Sequence, residues 1–227
     1  MIVDERMLIM MHGLTAVGKS TMAKYLSSQL PEAITLHTAV VRQQLGLAPG
    51  QPGAPSYDFK LDDFVFVNEV SKIVYGTMAQ KAETLLQNGR SVILDGTYNF
   101  IWQRQQVYDL SHRLSIPLVV IHCVCSDENE VRHRLTSRGR NPDTPFAETN
   151  EWETYLSTKE LSDPLEQDYM PDGTSPHILR FDTTLNELIS LNFAVCPHCQ
   201  RVAAILDRFN QSDEIEDFYT LMGEDSP

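Results

Sequence analysis

A chain of 227 residues with 42% hydrophobic content can bury the core of one α/β domain and is short for two. Its formal net charge of -13 sets the body against a phosphate backbone, so long nucleic acid is disfavoured as a partner. Six of the acids (Asp213, Glu214, Glu216, Asp217, Glu224, Asp225) crowd 211–227, which holds no Lys or Arg, yet the remainder still carries about -7. The N-terminal apolar run Met7 to Met11 is too short for a secretory or spanning segment. No other stretch reaches the roughly 18 to 20 apolar residues needed, so no membrane role and a cytoplasmic location are expected. Four cysteines, two of them in Cys196-Pro-His-Cys199, do not make a secreted disulfide framework.

In chain order, Met7 to His12 is a continuous apolar run leading into glycine, as in a strand buried on both faces. Lys19 to Leu30 reads as a helix stopped by Pro31, Ala33 to His37 as a second strand, and Val40 to Leu47 as a short helix. Gly46 to Tyr57 holds three prolines and three glycines and reads as a loop. From Asp62, Phe64, Val67, Val74, Met78 and Leu85 recur at helical intervals up to Asn88-Gly89. Ser91 to Asp95 is a third strand, Trp102 to Leu114 a helix and Leu118 to Val124 a fourth strand. Ser126 or Asp127 caps a helix to about Arg138, and Ile178 to Phe181 is a fifth strand. Alternation of strands and helices predicts βαβ units, hence a mostly parallel five-stranded sheet with helices on both faces, a three-layer α/β sandwich. Ligands of such sheets bind at the carboxyl ends of strands, where His12-Gly13, Asp95 and Asp182 fall.

Gly13-Leu14-Thr15-Ala16-Val17-Gly18-Lys19-Ser20 satisfies G-x-x-x-x-G-K-[ST] between a predicted strand and a predicted helix. Glycines at both ends let successive backbone N–H groups turn inward on an anion, and the following helix adds its positive dipole end. This pattern predicts that the run from Gly13 through Thr21 binds ATP, with Lys19 reaching the β and γ phosphates and the Ser20 hydroxyl on Mg2+.

Three further segments accompany the loop: Thr38-Ala-Val-Val-Arg42, Val92-Ile-Leu-Asp95-Gly-Thr97 and Arg134-Leu-Thr-Ser-Arg138-Gly139. With them the chain resembles the polynucleotide kinase, zeta toxin and chloramphenicol phosphotransferase group of P-loop kinases over roughly residues 7 to 185. The resemblance implies a P-loop NTPase fold with a helical arginine lid, ATP and Mg2+ as cofactors, and phosphoryl transfer to a small hydroxylated or nucleotide-like acceptor. It implies that Arg138 is the lid arginine, supported by Arg134 four residues earlier on the same helical face, that Arg42 stands on the substrate side, and that Asp95 faces the site and either organises a substrate arginine or joins Ser20 at the metal. The competing readings are a solvated basic helix end for the arginines and a strand-end cap for Asp95. The expected layout is a kinase-like domain over 1–191 with a lid at about 132–160, followed by a CxxC turn, a short helix and an acidic tail over 192–227.

One position departs from that pattern. The family places an aspartate after the second strand to take the proton of the attacking hydroxyl, and Ala39 stands in that frame. Either the frame is shifted, or Asp95, His37 or Asp63 does the work, or transfer is poor. The last case makes the chain a nucleotide-binding switch or regulatory ATPase, and a polynucleotide 5′-hydroxyl is a subordinate acceptor of the first reading. Cys196 and Cys199 form a single CxxC, too few ligands for a structural zinc and lacking the fold context of a redox motif.

Overall fold

The computed structural model describes residues 6–48, 51–52, 63–139, 151–191 and 196–209. Its six-stranded sheet has the order β2-β3-β1-β4-β5-β6, formed by β1 (Leu8–His12), β2 (Ala33–His37), β3 (Ser91–Asp95), β4 (Leu118–Val124), β5 (Ile178–Asp182) and β6 (Glu187–Leu191). The first five strands are parallel and β6 returns antiparallel to β5. This is the expected P-loop NTPase architecture with one strand more. Strand alternation explains the two cores, because Ile9, Met11, Ile93, Val119 and Ile121 bury into one face while Leu8, Met10, Val92, Leu94 and Val120 bury into the other.

The first face is covered by α1 (Lys19–Gln29) and α7 (Pro197–Phe209), the second by α3 (Asp63–Gln87) and α4 (Ile101–Leu114). In α7 the residues Cys199, Val202, Ala203, Leu206 and Phe209 make an apolar stripe at helical spacing. Phe209 meets Tyr25 of α1 edge to face at 4.7 Å, and Arg201 pairs with Glu32 at 3.0 Å. The helices α5 (Glu128–Gly139) and α6 (Glu151–Leu161) pack on each other at the carboxyl end of the sheet. None of the described helices is long and apolar enough to cross a membrane.

Local chemistry sets the boundaries. The second helix, α2 (Thr38–Gln44), begins two residues before the expected Val40 because His37 caps it, its Nδ1 accepting from the Ala39 amide at 3.1 Å. Helix α3 ends where Gly89 takes φ 81° and Gly89 and Arg90 donate to Leu86 and Leu85, a Schellman closure. Asp127 caps α5 by accepting from the Asn129 amide at 2.8 Å. The unforeseen β6 follows a tight turn with Asn186 at φ 53° and covers the edge of β5. The Pro/Gly loop from 46 to 57 falls largely outside the described residues.

Candidate active site

The loop between β1 and α1 takes its shape from three left-handed or near-left-handed positions, Gly13 at φ 135°, Ala16 at 60° and Gly18 at 86°. A Cβ at Gly13 would stand 2.3 Å from the Cys123 carbonyl oxygen, so the loop leaves β1 pressed against β4. Thr183, just past β5, fixes the other side: its hydroxyl bridges the carbonyls of Val17 and Val124 at 3.0 and 3.2 Å. Gly18 is the N-cap of α1, with no side-chain cap and no acid in the first turn. Its first N–H groups are thus left for an anion, and Lys19, buried beside them, donates from Nζ to the Leu14 carbonyl at 2.5 Å. These features fit a polyphosphate.

At the ends of β2 and β3, which run in register His37 to Asp95, a chain of polar groups leads back to α1. His37 Nε2 lies 3.1 Å from Asp95 Oδ2 and 3.4 Å from Ser20 Oγ. Because Nδ1 accepts from Ala39, Nε2 carries the proton of the neutral ring and points it at the buried Asp95 carboxylate. Ser20 and Asp95 are hard oxygen donors of the kind Mg2+ prefers, bordering a hollow of about 480 Å3. The pair fits a hydrated Mg2+, while His37, its Nε2 protonated, does not fit the role of ligand.

The arginines behave differently from one another. Arg134 of α5 reaches the loop, donating from Nη1 to the Ala16 carbonyl at 3.3 Å and to Thr183 Oγ1 at 3.2 Å, while Nε pairs with Glu130 at 2.8 Å. Arg138 lies on the same helix, its side chain outside the described residues. Arg42 is half-buried in the last turn of α2, and the polar partner of Asp95 among the described residues is His37 rather than an arginine. Asp63 also lies where no side chain is described.

A cavity of about 350 Å3 opens on the other side of the loop, lined by Gly13, Leu14, Asn99, His122, Tyr155 and Glu166 among others. His12 and His122 are opposed across β1 and β4 and meet edge to face at 4.6 Å. Burial, then His122, Arg104 and Lys19, hold the His12 ring well below its ordinary value; burial, then Arg180, lowers His122 to about 4. Behind this wall, fully buried Arg104 forks onto Asp168 at 2.5 and 2.8 Å, and Tyr108 donates to the same carboxylate at 2.5 Å. Sequence reading noted His12 only as a strand end and missed His122 and Thr183, since their pairing depends on strand register. Cys199 is buried against α1, its thiol raised by burial and by Cys196, one turn away; among the described residues no three metal-ligand side chains cluster.

The sequence matches the AAA domain family over residues 8–161, from the first residue of β1 to the end of α6. The chain belongs to that family. Its architecture is that of a P-loop kinase-like domain. None of the curated proteins matches the chain. Among solved structures it is similar to a sugar kinase from Janibacter, 15% identical over 89% of this chain and 95% of that one, TM-score 0.52. It is also similar to Kti12 of Chaetomium thermophilum bound to ADP-AlF3 (16% identity, 90% and 97% covered, TM-score 0.54) and to a fungal RNA kinase (14%, 98% of both chains, 0.51). At these identities the likeness is one of fold.

Proposed function

We propose that the chain is an ATP- and Mg2+-dependent phosphotransferase acting on a small hydroxylated acceptor. The observation that carries this reading is the shared wall of loop and cavity: Gly13 and Leu14 belong to both, so a phosphate chain held along 13–21 borders a molecule in the cavity. In this reading the loop amides and Lys19 hold the phosphates, and Ser20 and Asp95 hold the ion. When bound, the nucleotide and Mg2+ supply the phosphoryl group and neutralise its charge. Arg134, held against the loop, and Arg138, one turn further along α5, add positive charge at the lid; Arg42 orients the acceptor side. His37 uses both nitrogens, one on Ala39 and one on Asp95, and acts as a positioning residue rather than a base. The domain runs over 1–191 with its lid at 132–160, and 192–227 is an addition whose α7 docks on α1.

A second reading, a nucleotide-binding switch that transfers phosphate only to water, is favoured by Ala39, where no side chain can take a proton. Calorimetry with ATP and Mg2+, followed by radiolabelled γ-phosphate transfer to an acceptor panel, separates the two. The phosphotransferase reading expects binding, turnover stimulated by an acceptor, and a loss of about 10²-fold or more on Lys19→Ala with the fold intact. Turnover indifferent to every acceptor favours the switch, and absence of nucleotide binding removes both.

A further inference from the structure

His12 ends β1 immediately before the loop, 6% exposed, and neither of its ring nitrogens has a hydrogen-bond partner. A buried polar atom left unsatisfied costs about 1–3 kcal/mol, which an apolar residue at the same place would avoid. The four preceding strand residues, Leu8 to Met11, do avoid it. The neighbouring buried cation shows that this fold can satisfy polar groups well: Arg104 spends its guanidinium on Asp168, the Tyr98 carbonyl and the carbonyls of Asp163 and Pro164. The unsatisfied ring lines the 350 Å3 cavity together with His122 and buried Asn99.

With their proton affinities lowered, both rings are uncharged at neutral pH, and each carries one N–H donor and one acceptor nitrogen, those of His12 closed off until the ring turns toward the cavity. A hydroxyl group, itself donor and acceptor, uses both kinds. A phosphate or sulfate dianion only accepts, and it would also meet Glu128, Asp163 and Glu166 of the lining. Among the described lining residues the one Lys or Arg is Lys159, which is paired with Glu128 at 2.5 Å. Leu14, Val17 and Leu165 give the remainder an apolar surface.

We propose that this cavity binds an uncharged, hydroxyl-bearing small molecule, read by His12, His122 and Asn99, and that this molecule is the acceptor of the phosphotransferase reading, on which the acceptor role rests. Anionic, already phosphorylated acceptors are excluded by the carboxylates at its wall.

The test uses the full chain with matched probes: D-ribose, myo-inositol, uridine and adenosine against ribose 5-phosphate, inositol 1-phosphate, uridine 5′-monophosphate and adenosine 5′-monophosphate. Thermal shift without nucleotide reads binding, and γ-phosphate transfer from ATP and Mg2+ reads the acceptor role. An uncharged member is expected to raise Tm and to show a KM at least about 10-fold below its phosphorylated counterpart, the scale of one good polar contact. His12→Ala then raises KM with kcat little changed, the signature of lost uniform binding. Should that variant fail to fold, exposed Glu166→Lys serves instead and is expected to admit the phosphorylated counterparts. Tighter binding of the phosphorylated probes by the unmodified chain overturns the proposal, as does a panel in which no uncharged member shifts Tm. If ATP fails to bind while an uncharged probe still raises Tm in a His12-dependent way, the phosphotransferase reading fails and the cavity's ligand class stands.

Discussion

A Cβ at Gly18 would stand 2.9 Å from Thr183 Cγ2, and Thr183 has little room to yield because its hydroxyl ties Val17 to Val124 and accepts from Arg134. Gly18→Ala is therefore expected to cost the left-handed strain of about 1–2 kcal/mol plus the contact, and to weaken triphosphate binding. Gly46→Ala is the control, with a positive φ but open space around the added Cβ. Urea denaturation showing equal losses for the two would refute the contact with Thr183 as the cause. Asp168→Asn attacks a different kind of residue, a buried carboxylate holding both Arg104 and Tyr108. Leaving Arg104 without its counter-charge is expected to cost about 3–5 kcal/mol, read as a lower urea midpoint at unchanged slope. The glycine-rich loop was legible because its chemistry is local in sequence. His37 beside Asp95 was not, because their meeting depends on the register of β2 on β3, and the role weighed for His37 as a base gives way to the geometry of its two engaged nitrogens.

Among the elements, β1, β3 and β4 were readable because parallel strands buried on both faces are near-continuous apolar runs bounded by turns, whereas β2 is a half-buried edge strand. Strand β6 was not, since Glu187 to Leu191 mixes polar and apolar residues and gains its place only by pairing with β5. Helix α6 offers Trp152 and Tyr155 without a full apolar stripe; its place comes from tertiary ties just beyond its end, Asp163 N to the Asn99 carbonyl and Ile101 N to Asp163 Oδ2. In α7 the stripe is complete, and docking on α1 follows from it. Because Phe209 is buried against both Tyr25 and Phe181, Phe209→Ala is expected to destabilise by about 3–5 kcal/mol. Replacement of exposed Asp207 on the opposite face by Ala is expected to stay within about 0.5 kcal/mol. Chemical denaturation of the two variants measures the difference, and comparable small losses would show that α7 does not share the cooperative core.

For the molecule as a whole, the two central strands carry their histidines directly opposite one another, which couples folding to proton concentration. In the unfolded chain both rings take the ordinary value of 6.5, whereas in the fold His12 lies well below it and His122 near 4, chiefly through burial. Between those values the unfolded chain binds more protons than the folded one, so stability rises with pH there. The contribution is fully present above about 6.5 and is lost as pH falls through the folded values. At about 1.36 kcal/mol per unit, His122 alone accounts for up to about 3 kcal/mol. The groups facing the pair are Lys19, Arg104 and Arg180, which oppose protonation, and Glu166, which favours it. Asp182, which burial alone would raise, is held below 3.8 by the Thr184 amide, the Ser126 hydroxyl and amide and the Leu185 amide, and acts in a separate window: its contribution is present above 3.8 and lost below. Neutralising the excess of acids on acidification relieves repulsion and works in the opposite direction. A comparison of proteins isolates the rings better than a single profile does. The unmodified chain is expected to lose Tm from pH 6.5 to 4.5, and His122→Gln, which keeps a polar group but cannot be protonated, is expected to lose measurably less over that span. Parallel profiles would show that His122 does not set the acid limit of the fold, and a steeper loss in the variant would mean that Glu166 had raised the ring's proton affinity rather than burial lowering it.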